Sequence, residues 1–76
     1  MRYAIVIESG PNNYSAYVPD LPGCIATGKT LDIVRANMRG AMEMHLKAMV
    51  EDGDLLPEYE SFGETVDIEV PALVAS

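Results

Sequence analysis

Reactive side chains are few in this sequence, and their spacing limits the chemistry they could perform. Cys24 is the single cysteine and His45 the single histidine. A histidine can act as a general base for a serine or cysteine nucleophile that lies within hydrogen-bonding distance, but no nucleophile has a sequence context that pairs with His45. No Cys/His cluster has the spacing of zinc ligands. The sequence therefore predicts no catalytic residue, no metal site and no cofactor.

Both residues fit structural roles. His45 lies at the edge of a helical apolar stripe that includes Met42 and Met49, which predicts a partly buried structural histidine. Cys24 begins a strand-like run beside Ile25 and has no cation near it in sequence that would lower its pKa. We expect it to be a small core residue. Met44 lies off the stripe and is expected to be exposed.

Charge favours some partners over others. Twelve acidic residues against five basic ones give a net charge of −7, which repels phosphate backbones, so we expect no direct binding of nucleic acid by this chain. The same charge would speed association with a basic protein. It would also simply keep a small protein soluble, and composition alone favours that interpretation.

Length and hydrophobicity predict one small domain over residues 1–76. A chain this short buries only about 60 to 65% of its unfolded surface, so we expect a second subunit to cover apolar area in a homodimer or larger oligomer. The N-terminus lacks the apolar core of a signal peptide, and no apolar run reaches transmembrane length. The sequence thus predicts a cytoplasmic protein without membrane contact.

Three short strands are predicted in the first 28 residues. The first lies within Arg2–Ser9, and turn-forming residues 10–13 lead into a second over Tyr14–Val18. Pro19, Pro22 and Gly23 then require a stiff turn with Asp20 on its outside. The third strand is predicted over Cys24–Thr27.

One long helix and a fourth strand complete the predicted fold. Thr30 is a good N-cap, and Gly53 is placed to end the helix. Thr65–Val70 alternates, with Val66, Ile68 and Val70 inward and Asp67 and Glu69 outward. The order is β-β-β-α-β. It predicts an α+β fold in which a three-stranded antiparallel meander, one helix and a fourth strand form a single sheet with the helix across one face.

The chain resembles the HicB-like antitoxin family of bacterial toxin-antitoxin systems. The resemblance is carried by the segment Tyr17-Val18-Pro19-Asp20-Leu21-Pro22-Gly23-Cys24, followed by Gly28 and Thr30-Leu31, and by Ala41 and His45-Leu46 in the helix. It implies a partial ribonuclease-H-like fold. It also implies a non-enzymatic protein that neutralises a small basic HicA-type toxin, an mRNA interferase, by occluding its RNA-binding surface. Many relatives continue into a C-terminal DNA-binding domain, which we do not expect in residues 1–76.

The resemblance points to contacts for the toxin. We expect Asp20, Leu21, Glu43, Asp52 and Asp54 to contribute. The four carboxylates among them can lie where RNA phosphates would otherwise bind. The acidic stretch 51–60 either clasps a basic partner or is a solvated loop. Gly40 either permits close helix approach or weakens the helix.

Two alternatives to an antitoxin function are also compatible with the sequence. The domain could be an orphan of the same fold with a structural or regulatory protein-binding role. A ribonuclease-H-like architecture also suggests a metal-dependent nuclease, in which Glu8, Asp20 and Glu43 would have to converge on divalent ions. Nothing in their spacing indicates convergence.

Overall fold

The computed structural model describes residues 2–70. Three strands, β1 (Val6–Ser9), β2 (Tyr14–Tyr17) and β3 (Ile25–Gly28), precede one helix, α1 (Leu31–Glu51). Both strand pairs are antiparallel, and the strands lie in the order β1-β2-β3. This confirms the predicted α+β arrangement of a three-stranded meander and one helix.

The predicted alternation along β2 sets the core. Ala16 and Val18 are each 2% exposed, whereas Ser15 and Tyr17 face away from the helix. In register with Ala16 lie Ile7 on β1 and Ala26 on β3, so one face of the sheet packs against α1. The buried core residues are Ala16, Val18, Leu21, Cys24, Val34 and Met38.

Both ends of α1 are capped as the sequence predicts. The Thr30 side chain accepts a hydrogen bond from the Ile33 amide at 3.1 Å. Asp52 is the C-cap residue, and Gly53 follows it with a φ of +78°. The amides of Gly53 and Asp54 donate to the carbonyls of Val50 and Met49 at 3.1 and 2.9 Å, which is the Schellman arrangement that ends a helix.

Gly28 permits the close approach of β3 and α1. A Cβ atom at this position would lie 2.6 Å from the Val34 amide nitrogen and 2.9 Å from the Ile33 side chain. Gly40 differs, since a Cβ there would meet no atom of the described chain within 4 Å. Within residues 2–70, Gly40 therefore supports no close helix contact.

The predicted first strand begins late. It was expected within Arg2–Ser9, but pairing starts at Val6, which lies opposite Tyr17. In this register Ile5, Ala4 and Tyr3 would lie opposite residues 18–20. Those residues form the turn, and Pro19 has no amide hydrogen to donate.

The predicted fourth strand is not formed in the structure. Residues 65–70 have irregular conformation, and Val66, Ile68 and Val70 are 71, 75 and 66% exposed rather than inward. Alternation alone cannot form a strand, because each strand needs an adjacent strand to satisfy its backbone hydrogen bonds. Among residues 2–70, no strand pairs with this segment.

Candidate partner-binding surface

Asp20 is held by the chain that follows the helix. One carboxylate oxygen accepts hydrogen bonds from the backbone amides of Glu60 and Ser61 at 3.0 and 3.1 Å, and the other accepts one from the Ser61 hydroxyl at 3.1 Å. The Ser61 amide, followed by the Glu60 amide, lowers the pKa of the Asp20 carboxyl, because these bonds favour its charged form. Asp20 therefore anchors residues 60–61 in this structure.

A second contact holds the same segment. The Tyr3 hydroxyl donates a hydrogen bond to the Pro57 carbonyl. Leu56 and Pro57 are half-buried, whereas Leu55 is 93% exposed. The chain thus leaves the helix, passes Tyr3 at Pro57 and reaches Asp20 at residues 60–61.

Leu21 is a core residue rather than a surface contact, which corrects its expected role. It is 1% exposed. Its amide donates to the Val18 carbonyl and its carbonyl accepts from the Cys24 amide, each at 3.1 Å. These two bonds close the proline turn and direct the Leu21 side chain into the core.

The other predicted contact residues are solvent-accessible. Glu43 lies on the exposed face of α1, and Asp52 and Asp54 lie at its C-terminal end. Since Glu43 is two helical turns from Glu51, about 12 Å at 1.5 Å per residue, these carboxylates form two separate groups. The structure does not join Asp20, Glu43 and the Asp52–Asp54 pair into one site.

Charge is divided unevenly along the chain. Residues 1–47 contain four acidic and five basic residues, for a net charge of +1, whereas residues 48–76 contain eight acidic residues and no lysine or arginine, for −8. The two parts account for the total of −7. The acidic region therefore begins in the last turn of α1 and continues through the chain after it, and it includes the whole stretch 51–60.

The sheet face opposite the helix carries an apolar row that sequence reasoning missed. Val6, Tyr17 and Ile25 lie side by side in register across the three strands. Tyr17 and Ile25 are 41 and 69% exposed. The alternation that predicts the inner face of each strand also places these residues together outside. The register that aligns them across strands could not be read from one strand at a time.

A groove runs beside the sheet edge and is called the β1 groove below. It lies between the residues that precede β1 and one side of α1, and it has a volume of about 520 Å³. Half-buried apolar side chains of Ile5, Met42 and Leu46 line it. The exposed charged residues Arg2, Arg35, Arg39 and Glu43 also line it. Cations therefore outnumber carboxylates in the groove.

The carboxylates considered for metal chemistry lie apart. Glu8 is on the sheet face opposite the helix, since its neighbour Ile7 packs against the core, and Asp20 follows the far end of β2. In residues 2–70 no group of three or more His, Cys, Asp or Glu side chains is placed to hold a metal ion.

Cys24 and His45 occupy the predicted environments. Cys24 is buried, and burial raises the pKa of its thiol. A raised pKa leaves less of the reactive thiolate at neutral pH. His45 is half-buried and Met44 is 75% exposed, as expected.

Comparison with known protein families identifies the family of this chain. The model of the HicB-like antitoxin of bacterial toxin-antitoxin systems matches residues 3–71. The chain belongs to the HicB-like antitoxin family. A chain of the solved HicA3 and HicB3 toxin-antitoxin complex is 31% identical to this HicB-like chain, with a TM-score of 0.63 over 72% of this chain and 64% of that one.

Two other relatives differ in length. An uncharacterized 14.9 kDa protein of Haemophilus phage HP1 is 40% identical over 58 residues, which are 76% of this chain and 44% of that protein. A UPF0150 protein of Archaeoglobus fulgidus is 41% identical over 59 residues, 74% of this chain and 86% of that one. The HicB-like chain thus spans less than half of the phage relative. In the described residues, no helix has both the length and the apolar character needed to cross a bilayer.

Proposed function

We propose that this chain is an antitoxin module that binds a small basic HicA-type toxin and blocks its RNA-binding surface. The observation that carries the proposal is the family match over residues 3–71. It is supported by the 31% identity to a chain of a toxin-antitoxin complex. A member of this family is expected to act by binding a protein, with no catalytic step of its own.

Charge supports the choice of partner. An mRNA interferase must attract phosphates, so its RNA-binding surface carries basic side chains. Residues 48–76 of the antitoxin module carry −8 without a single cation. Carboxylates spread along an exposed segment can occupy the positions of successive phosphates and also speed the encounter of the two proteins.

Within this acidic region, Asp52 and Asp54 are the proposed toxin contacts, with Glu43 as a second group on the helix. All three are exposed. Asp20 is proposed to act through the segment it holds, because its oxygens are engaged by residues 60–61. Its hydrogen bonds keep the acidic chain beside the body of the domain.

The test is to mix the purified chain with a basic HicA-type toxin and to measure complex formation and RNA cleavage. We expect a stable complex and loss of cleavage. Asp54→Lys should weaken the complex by about tenfold, because it replaces an attraction by a repulsion. Glu8→Lys is the matched control, since each change moves the net charge from −7 to −5. Glu8 lies on the sheet face that points away from the helix, outside the acidic region.

The two variants separate contact from general steering. Equal weakening by Asp54→Lys and Glu8→Lys would mean that only the overall charge matters, which contradicts the proposed contact. No complex with the unaltered chain, together with no rescue of toxin-arrested growth, would refute the antitoxin function. Recovery of an unrelated protein from the native host would instead favour the orphan-domain alternative.

A further inference from the structure

We infer that Asn37 closes the β3 edge of the sheet to strand addition, because its side-chain amide occupies a backbone carbonyl that an added strand would need. Asn37 lies on α1 and donates a hydrogen bond from this amide to the Thr27 carbonyl of β3 at 2.8 Å. The strand order β1-β2-β3 makes β3 one edge of the sheet. The helix thus holds an acceptor at the edge of its own sheet.

The register shows that the Thr27 carbonyl points away from β2. The Val18 amide donates to the Cys24 carbonyl at 3.3 Å, so these two residues form a hydrogen-bonded pair. Bonded and non-bonded pairs alternate along an antiparallel ladder. Every second residue after Cys24 therefore bonds to β2, and the residues between them, Ile25 and Thr27, direct their amides and carbonyls outward.

The sequence of β3 lacks the usual means of protecting an edge strand. Edge strands are commonly protected by charged residues, prolines or bulges. Residues 23–28 contain no charged side chain and no proline, and the four residues of β3 pair with β2 without a bulge. Ile25 is 69% exposed, and Thr27 is also exposed. Protection of this edge therefore has to come from outside the strand.

One hydrogen bond is enough to close an edge of this length. β3 has four residues, of which Ile25 and Thr27 have outward backbone groups. An added strand would bond to both, since every second residue of an edge strand pairs with the next strand. While Asn37 holds the Thr27 carbonyl, Ile25 alone keeps both outward groups free, and one residue does not make a stable ladder.

The position of α1 brings Asn37 to this edge. Gly28 lets the first turn of the helix approach β3 closely, since a Cβ atom there would lie 2.6 Å from the Val34 amide nitrogen. Asn37 follows Val34 by about one helical turn. The helix lies over β3 and β2, whereas the β1 groove lies between α1 and the residues before β1. A side chain of α1 can therefore reach the backbone of β3.

The first experiment tests the bond in the unaltered chain. The side-chain amide protons of Asn37 should exchange with solvent more slowly than those of Asn12, because a hydrogen bond protects the former. Asn12 is exposed in the turn before β2 and is the matched reference. NMR measures both rates. Equal rates would show that no lasting bond holds the Thr27 carbonyl, which would overturn the inference.

The second experiment measures how often two β3 edges pair. In an antiparallel pair centred on Ala26, Ile25 of one copy lies opposite Thr27 of the other. One chain therefore carries Ile25→Cys and a size tag, and a second chain carries Thr27→Cys. The rate at which a disulfide joins them under mild oxidation reports the paired population. Native Cys24 is buried and should not react. Asn37→Ala in both chains should raise this rate by about tenfold, because neither copy then gives up its own hydrogen bond.

A control cysteine separates edge pairing from general association. Val50 is 60% exposed near the C-terminal end of α1, so a Val50→Cys chain should link to itself at the same rate whether residue 37 is Asn or Ala. Asn37→Ala should change the midpoint of thermal unfolding little, because alanine is the better helix former and offsets the lost bond.

Each contrary result counts against the closed edge. An unchanged rate of disulfide formation after Asn37→Ala would overturn the inference. An equal increase in the Val50→Cys chain would also overturn it, since the variant would then associate without using β3. The exchange rates are measured on the unaltered chain and decide the question even if a variant folds poorly. None of these readouts requires the toxin.

Discussion

The domain body, residues 2–53, and the chain after it, residues 54–70, are held in position by different kinds of interaction. The body buries six apolar side chains between the sheet and α1. The later segment is held by polar contacts, from Tyr3 to Pro57 and from residues 60–61 to Asp20. The body is close to neutral and the segment strongly acidic. Apolar burial is thus concentrated in the body and negative charge in the later segment, and each part can be perturbed separately.

The largest expected effect comes from truncating a core side chain. Leu21→Ala should lower the free energy of unfolding by about 2 to 5 kcal/mol, because Leu21 is 1% exposed and its removal leaves a cavity. Leu55→Ala is the control, since that side chain is 93% exposed and its loss should change stability by less than about 0.5 kcal/mol. Urea denaturation followed by circular dichroism at fixed protein concentration measures both. Similar losses would mean that the segment after the helix is packed, and the contrast between the regions would fail.

Two glycines in the body should respond with opposite signs. Gly28→Ala should cost about 1 to 3 kcal/mol, because its Cβ would lie 2.6 Å from the Val34 amide nitrogen. Gly40→Ala meets no described atom within 4 Å and should stabilise the helix by up to about 1 kcal/mol. Thermal or urea unfolding of both variants checks the signs. Destabilisation by Gly40→Ala would show that α1 packs closely against another chain at this point.

The local signals of the body could be predicted from sequence because each acts over a few residues. Alternation in Tyr14–Val18, the cap at Thr30 and the stop at Gly53 depend on neighbours close along the chain, and the structure confirms all three. The late start of β1 could not be foreseen in this way. It depends on what lies opposite Tyr3 and Ile5 in the register.

The segment after the helix was predicted least well, for the same physical reason. Alternation at Val66, Ile68 and Val70 indicates a strand, but a strand forms only beside a partner edge, and the sequence does not say which chain provides it. Asp20 was expected at a partner surface and lies against residues 60–61, which are 40 and 41 positions away. Its loop position was predictable, but its hydrogen-bond donors were not.

A smaller effect is expected at the helix cap. Thr30→Ala should destabilise the body by about 1 kcal/mol, because the Ile33 amide loses its acceptor at 3.1 Å. Thr30→Ser keeps a hydroxyl in place and serves as the control, with a change of a few tenths of a kcal/mol expected. Urea denaturation distinguishes the two. Equal stability of Thr30→Ala and the unaltered chain would show that water replaces the cap without cost.

The most local effect is expected at Asp20. Asp20→Asn removes the charge that strengthens the bonds from the amides of Glu60 and Ser61. We expect faster hydrogen exchange of these two amides, measured by NMR or mass spectrometry, while the Val34 amide in the body exchanges at an unchanged rate. An equal acceleration at Val34 would show that the anchor contributes to the whole fold, and the two regions would then not be separable.

The same anchor predicts a pH dependence. The Ser61 and Glu60 amides lower the pKa of Asp20 in the folded chain, so the anchor contributes fully above the ordinary carboxyl pKa of about 3.9 and is lost as the pH falls through the lower folded value. The ratio of exchange rates at Ser61 between Asp20→Asn and the unaltered chain should therefore exceed one at neutral pH. It should approach one in acid, where both side chains are uncharged. A ratio that stays constant between neutral pH and pH 2 would show that the geometry of the acceptor holds the acidic segment, and that its charge does not.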